Sequence, residues 1–281
     1  MFVTKSTFRG MCSVFALILA SSVQAKDWKE ITIGVEGAFP PFNMMASDGT
    51  LSGYEIDVAH EVCERAKLKC TIVAQDWDSL TPSLMTGKFD AILNMGPNEK
   101  RRQVMDFSTP YAVTANSFMV LKSSPLVQMS KLGEDVSVND DSSKGVVEDI
   151  RKALDGMTVG APLASSQQQF IEETFKGSAE VRTYKTSEQI DLDLVAGRID
   201  AEFNNVVYLN SAVTKPANKD FVIVGPKFTG GVMATDVCFG IRKGESDLKQ
   251  ILDDAIDAAV ADGTIKKFSI KWFGIDVSPK G

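Results

Sequence analysis

Apolar runs and helical repeats of apolar residues alternate along the first part of the chain. Residues 31–35 and 70–74 are apolar and rich in β-branched side chains, which is typical of buried strands. Residues 54–66 and 79–86 instead place apolar side chains at helical spacing, and residues 91–93 form a third strand-like run. This β-α-β-α-β order predicts an α/β fold in which helices cover a parallel sheet.

A second alternating series follows, interrupted by a polar segment at 122–156 that we expect to lie on the surface. Its predicted elements are strands at 117–121, 158–161, 181–184, 199–203, 221–224 and 237–241, and helices near 146–154, 166–175, 187–196, 248–261 and 265–272. Two such units predict two lobes, residues 26–113 with 230–281 and residues 114–229. The chain would cross near Val113 and Thr229-Gly230-Gly231, making a two-strand hinge beside an interlobe cleft.

The segment at 90–111 carries the clearest chemical signal. After its short strand it turns at Gly96, and Asn98 is a suitable N-cap for a helical turn. That turn presents Arg101 just after the strand. An arginine held there can bind a carboxylate through two parallel charge-assisted hydrogen bonds. We therefore predict a receptor for a ligand that carries a carboxylate.

Other candidate binding residues follow the ends of predicted strands, where α/β sheets bind their ligands. Glu36 and Phe39 lie on a proline-stiffened loop after the first strand, and Trp77 follows the second strand between two aspartates. Each ring alone is better explained by packing within a lobe. Together, two aromatic rings on successive loops suit the stem or a planar group of a ligand.

The second series has a matching pair of polar segments. Ser165, Ser166 and Gln167 open a helix, and hydroxyls with free backbone N–H groups at such an end either bind a carboxylate or cap the helix. Asn204 and Asn205 follow the predicted strand at 199–203 and suit a ligand amine or hydroxyl.

Residues 1–25 have the pattern of a signal peptide. Lys5 and Arg9 precede an apolar run at 11–20, and Val23-Gln24-Ala25 resembles a cleavage site. Loss of the two basic residues changes the net charge from −7 to −9. The acidic balance argues against nucleic acid and anionic membrane surfaces as partners.

Export also bears on the cysteines. Cys63 ends a predicted helix and Cys70 begins a strand, so a disulfide between them would join the two elements. Two free buried cysteines are the alternative, and we favour the disulfide. Cys238, within an apolar run, is expected to be a buried thiol.

The sequence offers little for catalysis. His60 is the single histidine and lies in a predicted helix beside apolar residues, and no zinc-ligand spacing, phosphate-binding loop or nucleophile motif is present. We therefore predict a binding protein that uses no cofactor and no metal, and not an enzyme.

Several short motifs together resemble the family 3 periplasmic solute-binding proteins of ABC transporters for polar amino acids and opines. The resemblance covers nearly the whole mature chain. Its motifs are weak singly but specific in this order: Gly53-Tyr54-Glu55-Ile56-Asp57, Asp76-Trp77-Asp78, Asp90-Ala91-Ile92, Phe107-Ser108-Thr109-Pro110-Tyr111, Gly197-Arg198-Ile199-Asp200-Ala201, Asp262-Gly263-Thr264-Ile265 and Lys271-Trp272-Phe273. The resemblance implies the two-lobed type II periplasmic-binding-protein fold, a ligand in the interlobe cleft, a periplasmic monomer and an inner-membrane ABC permease as partner.

The resemblance also implies roles for individual residues. Phe39 and Trp77 would stack on the ligand, and Arg101 would bind its α-carboxylate with help from Ser166. Glu36 falls where relatives that bind basic amino acids or arginine-derived opines have an acidic group for the distal cation.

Two departures from the family pattern concern the ligand's amine. Asn205 stands where relatives often have an aspartate for the α-ammonium, and Asn94-Met95-Gly96-Pro97 replaces a Ser/Thr-rich turn at the binding site. A substituted amine depends less on the missing charge. We therefore expect an opine or other amino-acid conjugate ahead of free arginine, ornithine, lysine or histidine. The resemblance also places Cys63 and Cys70 on a disulfide of basic-amino-acid-binding relatives.

An alternative of another class is a periplasmic enzyme on the same scaffold, similar to the cyclohexadienyl dehydratases. It would need a general acid in the cleft, for which Glu36 or Glu202 could be proposed. No partner base is evident, and strand alternation could turn Glu202 away from the ligand. A sensor domain is a third class, ranked below both.

Overall fold

The structure is a computed structural model that describes residues 1–2, 28–129 and 135–280. The predicted signal peptide falls outside these ranges except for its first two residues. Among the described helices, none has both the length and the apolar character needed to cross a bilayer.

The strands of the described ranges are numbered in chain order. They are β1 (Glu30–Val35), β2 (Ala38–Phe39), β3 (Asn43–Met45), β4 (Leu51–Ser52), β5 (Lys69–Ala74), β6 (Ala91–Met95), β7 (Met105–Phe107), β8 (Ala112–Val113), β9 (Asn116–Leu121), β10 (Asp135–Ser137), β11 (Met157–Pro162), β12 (Ala179–Tyr184), β13 (Ala201–Asn205), β14 (Phe221–Thr229) and β15 (Asp236–Arg242).

The α-helices are numbered in the same way. They are α1 (Tyr54–Arg65), α2 (Trp77–Met85), α3 (Glu99–Arg102), α4 (Lys144–Ala153), α5 (Ser166–Thr174), α6 (Ser187–Val195), α7 (Val206–Ala212), α8 (Ser246–Ala261) and α9 (Thr264–Phe273).

The first sheet has the strand order β5-β1-β6-β15-β7, with β8 also paired to β15. Strands β1, β5 and β6 run parallel, and β15 runs antiparallel to its neighbours. Helices α1, α8 and α9 pack together against this sheet, where α1 buries Val58, Ala59 and Val62. These side chains recur at helical spacing, so one face of α1 is apolar.

The second sheet has the order β10-β14-β9-β13-β11-β12. Its core contains four phenylalanines, Phe118, Phe170, Phe203 and Phe228, in stacked, tilted and edge-to-face pairs with ring centroids 4.7–6.0 Å apart. Rings of this kind bury large apolar areas and prefer these offset arrangements. The two sheets thus form two separate α/β lobes, as the sequence predicted.

Two small features tie down the first lobe. A three-stranded antiparallel sheet, β2-β3-β4, follows β1 and shapes the loop after it. A disulfide joins Cys63 in α1 to Cys70 in β5, with the two Cα atoms 6.1 Å apart. Cys238 is a free, buried cysteine. The predictions for all three cysteines are confirmed.

The predicted parallel pairing is confirmed for β1, β5 and β6. Two predictions about strands were wrong in part, and one helix was missed. The first sheet is mixed, because β15 returns from the distant part of the chain and inserts antiparallel beside β6. The strand predicted at 199–203 lies at Ala201–Asn205, since β13 pairs with β9 as far as Asn205. Helix α7 directly follows it and was not predicted.

Close packing of the first sheet makes Gly34 a sensitive position. A Cβ atom there would lie 2.6 Å from the ring of Phe89, which is 1% exposed. We expect Gly34→Ala to lower the free energy of unfolding by about 1–3 kcal/mol, because a buried ring has to move. Gly145→Ala in α4 is the control, since nothing lies within 4 Å of its Cβ position. It should be neutral or gain about 0.5–1 kcal/mol. Urea unfolding measures both, and equal stability of the two variants would contradict this packing.

Candidate functional site

A cavity lies between the two lobes and is lined by residues of both. All but one of the predicted ligand-binding residues contribute to its wall: Glu36, Phe39, Trp77, Asn94, Gly96, Arg101, Ser165, Ser166, Gln167 and Asn205. The structure therefore brings together side chains that the sequence spreads over 170 positions.

Met95 is the predicted site residue that does not line the cavity. It is 1% exposed and packs in the core of the first lobe with Ile92, Phe107 and Cys238. Its neighbour Asn94 adopts a left-handed conformation, with φ of 62°. Asn94 and Gly96 therefore form the cavity wall while Met95 anchors the turn behind it.

Arg101 is a cation without an acidic partner. Asn98 caps α3 by accepting a hydrogen bond from the Arg101 backbone N–H at 2.9 Å, which fixes the turn that carries the side chain. The guanidinium donates weakly to the Gly96 carbonyl at 3.3 Å and lies 5.5 Å from the centroid of the Trp77 ring. No ion pair with a described carboxylate is formed, and burial lowers the pKa of Arg101 to about 10. A carboxylate entering the cavity would supply the missing counter-charge.

The two aromatic residues are already engaged by protein groups. Phe39 packs parallel to Phe42 of its own lobe at 5.2 Å and to Tyr208 of the other lobe at 5.3 Å. Trp77 supports the guanidinium of Arg101. A ligand in this arrangement would meet Phe39 at the ring edge, because the stacking position that the resemblance implied is filled by Tyr208.

Helix α5 presents free donors to the cavity from the second lobe. The Ser165 hydroxyl accepts from the Gln168 backbone N–H at 3.0 Å and donates to the Pro162 carbonyl at 2.6 Å, so it acts as the N-cap. Within the described residues, the backbone N–H groups of Ser166 and Gln167 have no acceptor. Unpaired N–H groups at a helix N-terminus favour an anion. Ser165 thus positions the helix, and Ser166 and Gln167 provide unpaired N–H donors at the cavity wall.

Glu36 provides an acidic group at another part of the wall. It follows β1 on the loop that β2 and β3 hold in place. Burial, together with the negative charges of Glu55 and Asp76, raises the pKa of Glu36 to about 8. A cation beside Glu36 would offset both effects and favour the ionised carboxylate.

A buried network beneath the first-lobe wall fixes its shape. Glu55 is 0% exposed, and its carboxylate accepts hydrogen bonds from the Asn43 amide at 2.7 Å and the Tyr111 hydroxyl at 2.6 Å. Asn43 accepts from the Gly37 N–H at 2.7 Å, and Tyr111 accepts from the Asn94 N–H at 2.9 Å. Burial raises the pKa of Glu55 to about 7 despite these bonds. The network thus connects the Glu36 loop to the Asn94 turn.

Asn205 lines the cavity, and both the oxygen and the nitrogen of its side-chain amide already form hydrogen bonds within the protein. Its oxygen accepts from the Val207 N–H at 2.9 Å, capping α7, and its amide donates to the Thr114 hydroxyl at 2.9 Å. Asn204 donates to Ser187 and to Glu202, each at 2.8 Å. Glu202 is 0% exposed and does not line the cavity. Burial and the nearby Asp191 raise the pKa of Glu202 well above its ordinary value.

The cavity wall also contains residues for which the sequence predicted no role in ligand binding. They are Thr114, Asn116, Pro162, Ser187, Ala234, Asp236 and Val237. Thr114, Asn116 and the 234–237 segment lie at the two places where the chain passes between lobes. These residues could have been found from the two predicted crossings, because the segments that cross between lobes form one boundary of the cleft.

This chain matches known proteins over nearly its full length. The model of the bacterial extracellular solute-binding proteins, family 3, matches residues 31–275. The chain belongs to this family. It is 40% identical to the octopine-binding periplasmic protein of Rhizobium meliloti over 96% of this chain and 98% of that protein. It is 32% identical to the L-arginine-binding protein of Pseudomonas aeruginosa, over 89% and 90% of the two chains.

A solved structure of the family shows the same architecture. A periplasmic His/Glu/Gln/Arg/opine family-binding protein from Silicibacter pomeroyi, in complex with lysine, superposes with a TM-score of 0.72 at 27% identity. The alignment covers 89% of this chain and 100% of that one. The two-lobed α/β fold of the family 3 solute-binding proteins is therefore confirmed for this chain.

The raised pKa of Glu36 predicts a pH-dependent stability. A carboxyl group whose pKa is about 8 when folded and near 4.5 when unfolded keeps its proton longer in the folded state. Its contribution to stability is therefore lost as the pH rises from about 5 to 8. Glu36→Gln should remove this pH dependence, so the free energy of unfolding of the ligand-free protein should fall less between pH 5 and pH 8, by about 3 kcal/mol. Urea unfolding at pH 5 and pH 8 measures the difference.

Glu180→Gln is the matched control, because Glu180 is an exposed carboxyl on β12. It should leave the pH dependence as in the wild type. A Glu36→Gln variant with the same pH dependence as Glu180→Gln would contradict the assignment.

Proposed function

We propose that this chain is the substrate receptor of a bacterial ABC importer and takes an opine or amino-acid conjugate that carries a carboxylate. A free basic amino acid is the second ligand class. The observation that carries the proposal is the unpaired Arg101 in the cavity, with the free N–H groups of Ser166 and Gln167 across from it on the other lobe. The names of the two relatives, which bind octopine and L-arginine, agree with it.

The other end of the cavity supports a cationic ligand group. A neighbouring cavity shares Glu36 and Trp77 with the first and continues past Asp76 and Asp78 to Lys185 of the second lobe. Glu36 and Asp78 thus lie along the path away from Arg101, whereas Asp76 is paired with Lys185 at 3.5 Å. A ligand with a carboxylate at one end and a guanidinium or ammonium at the other matches this charge order.

The division into lobes suits binding by closure. β8 ends at Val113 in the first sheet, and β14 ends at Thr229 in the second, which supports a hinge at the two crossings and lobes of 26–113 with 230–281 and of 114–229. The crossings are joined by a hydrogen bond from the Thr114 N–H to the Thr235 carbonyl at 2.8 Å. Two adjacent crossing segments of this kind, which run antiparallel here, allow lobes to open and close around a ligand.

The remaining parts of the proposal follow from the family. Residues 1–25 would direct export to the periplasm, and the chain would act there as a monomer that delivers its ligand to an inner-membrane permease. The relatives named above are binding proteins. No covalent step is needed for this function.

Calorimetry with defined ligands tests the proposal. We expect octopine or L-arginine to bind. Lysine, ornithine and histidine should bind no more tightly than these two ligands. Agmatine, which is arginine without its carboxylate, should bind at least about 100-fold more weakly because it cannot neutralise Arg101. Failure of every carboxylate-bearing amine to bind would contradict the proposed function, as would equal binding of agmatine and arginine.

Replacement of Arg101 separates binding from folding. Arg101→Met should weaken binding of the carboxylate ligand by about 2–4 kcal/mol, which is roughly 30-fold to 1000-fold. It should not lower the stability of the ligand-free protein, because it removes a half-buried cation that has no acidic partner among the described residues. Arg102→Met is the control, since Arg102 is exposed and bonded to the Pro97 carbonyl. Unchanged affinity in Arg101→Met would place the carboxylate elsewhere.

A further inference from the structure

The cavity has a second carboxylate that sequence motifs did not reveal. Asp236 begins β15, directly after the return crossing between lobes, and lines the cavity together with Ala234 and Val237. It is half-buried, and no hydrogen bond or ion pair holds its carboxylate among the residues that the structure describes. A half-buried carboxylate without a partner is poised for a cation.

Asp236 lies at the corner of the cavity where a ligand's amine is expected. Its backbone is paired with Val113 in β8, so Thr114 is its near neighbour. Gly96 closes the same corner, since a Cβ atom at Gly96 would lie 3.4 Å from the Cβ of Ala234 and 3.7 Å from the Asp236 carbonyl. The Asn94–Gly96 turn and the hinge therefore meet beside Asp236.

Asn205 lies on the other side of Thr114 and is poorly suited to a cation. It is neutral, its oxygen caps α7, and its amide donates to the Thr114 hydroxyl. An ammonium placed at this corner would find one full negative charge, that of Asp236.

The opposite charges of the wall remain separate from each other. Arg101 is the one cation among the described lining residues, and it forms no ion pair with Asp236. A cavity with an unpaired cation and an unpaired anion complements a ligand with the reverse arrangement, a carboxylate and an ammonium on the same carbon.

Resting on the proposed function, we infer that Asp236 binds the amino group of the ligand and takes the role that Asn205 does not fill. The receptor therefore selects ligands whose amine carries a positive charge, whether primary or substituted, over those whose amine is neutral. Asp236 is a specificity-determining residue of this site.

A pair of ligands isolates this contact. L-Arginine has a charged amine, whereas Nα-acetyl-L-arginine has a neutral amide at the same position and keeps the carboxylate and guanidinium. Calorimetry on the full chain should show that the wild type prefers arginine at least tenfold. In Asp236→Asn this preference should shrink at least tenfold, mainly through weaker binding of arginine. Octopine, whose amine is secondary and charged, should lose affinity in the same variant.

Controls separate charge, folding and function. Asp257→Asn removes an exposed carboxylate on α8 and should bind both arginine compounds like the wild type. Thermal unfolding midpoints check that the variants fold, and Asp236→Ser is the second variant. An unchanged preference in a folded variant, or no preference in the wild type, would overturn the role of Asp236. Failure of the wild type to bind either arginine or octopine would instead count against the proposed function, and the role of Asp236 would fall with it.

Discussion

The first-lobe wall of the cavity depends on one buried carboxylate, that of Glu55. Its two oxygens hold Asn43 and Tyr111, and these in turn hold the backbone of Gly37 and Asn94. A buried carboxyl group without partners is costly, so the loop at Gly37 and Asn43, helix α1, the Asn94 turn and the segment at Tyr111 stabilise one another. The motif that contains Glu55 therefore shapes the cavity indirectly, by holding the loop and the turn that form its wall.

Above this rigid base, the cavity holds charges that the protein does not neutralise. Arg101 lacks a carboxylate, and Glu36 resists ionisation because it is buried near other acids. Both conditions cost stability in the ligand-free protein. A ligand with complementary charges removes that cost, and the free energy recovered in this way adds to the affinity for the ligand. The contact of Phe39 with Tyr208 adds an apolar connection between lobes beside these charges.

Much of the first-lobe site was predictable because its strands are parallel and consecutive. Glu36, Trp77 and Arg101 each follow a strand, and the carboxyl ends of parallel strands meet at one edge of the sheet. The helix start at Ser165 was predictable for the same reason in the second lobe. The prediction failed at Met95, since the left-handed conformation of Asn94 redirects the turn and sends Met95 into the core. The local sequence pattern does not predict the left-handed conformation of Asn94.

The order of the elements, the caps of the helices at Asn98 and Ser165, and the spacing of Cys63 and Cys70 follow from short stretches of sequence, because these features depend on residues a few positions apart. Which distant segments share the cavity depends instead on how the chain folds in three dimensions. The antiparallel insertion of β15 brings Asp236 to the cavity wall, and the packing of the lobes against each other lays Tyr208 on Phe39. Such contacts join residues far apart in the chain, and they arise from sheet pairing and lobe packing, which local patterns of polarity do not specify.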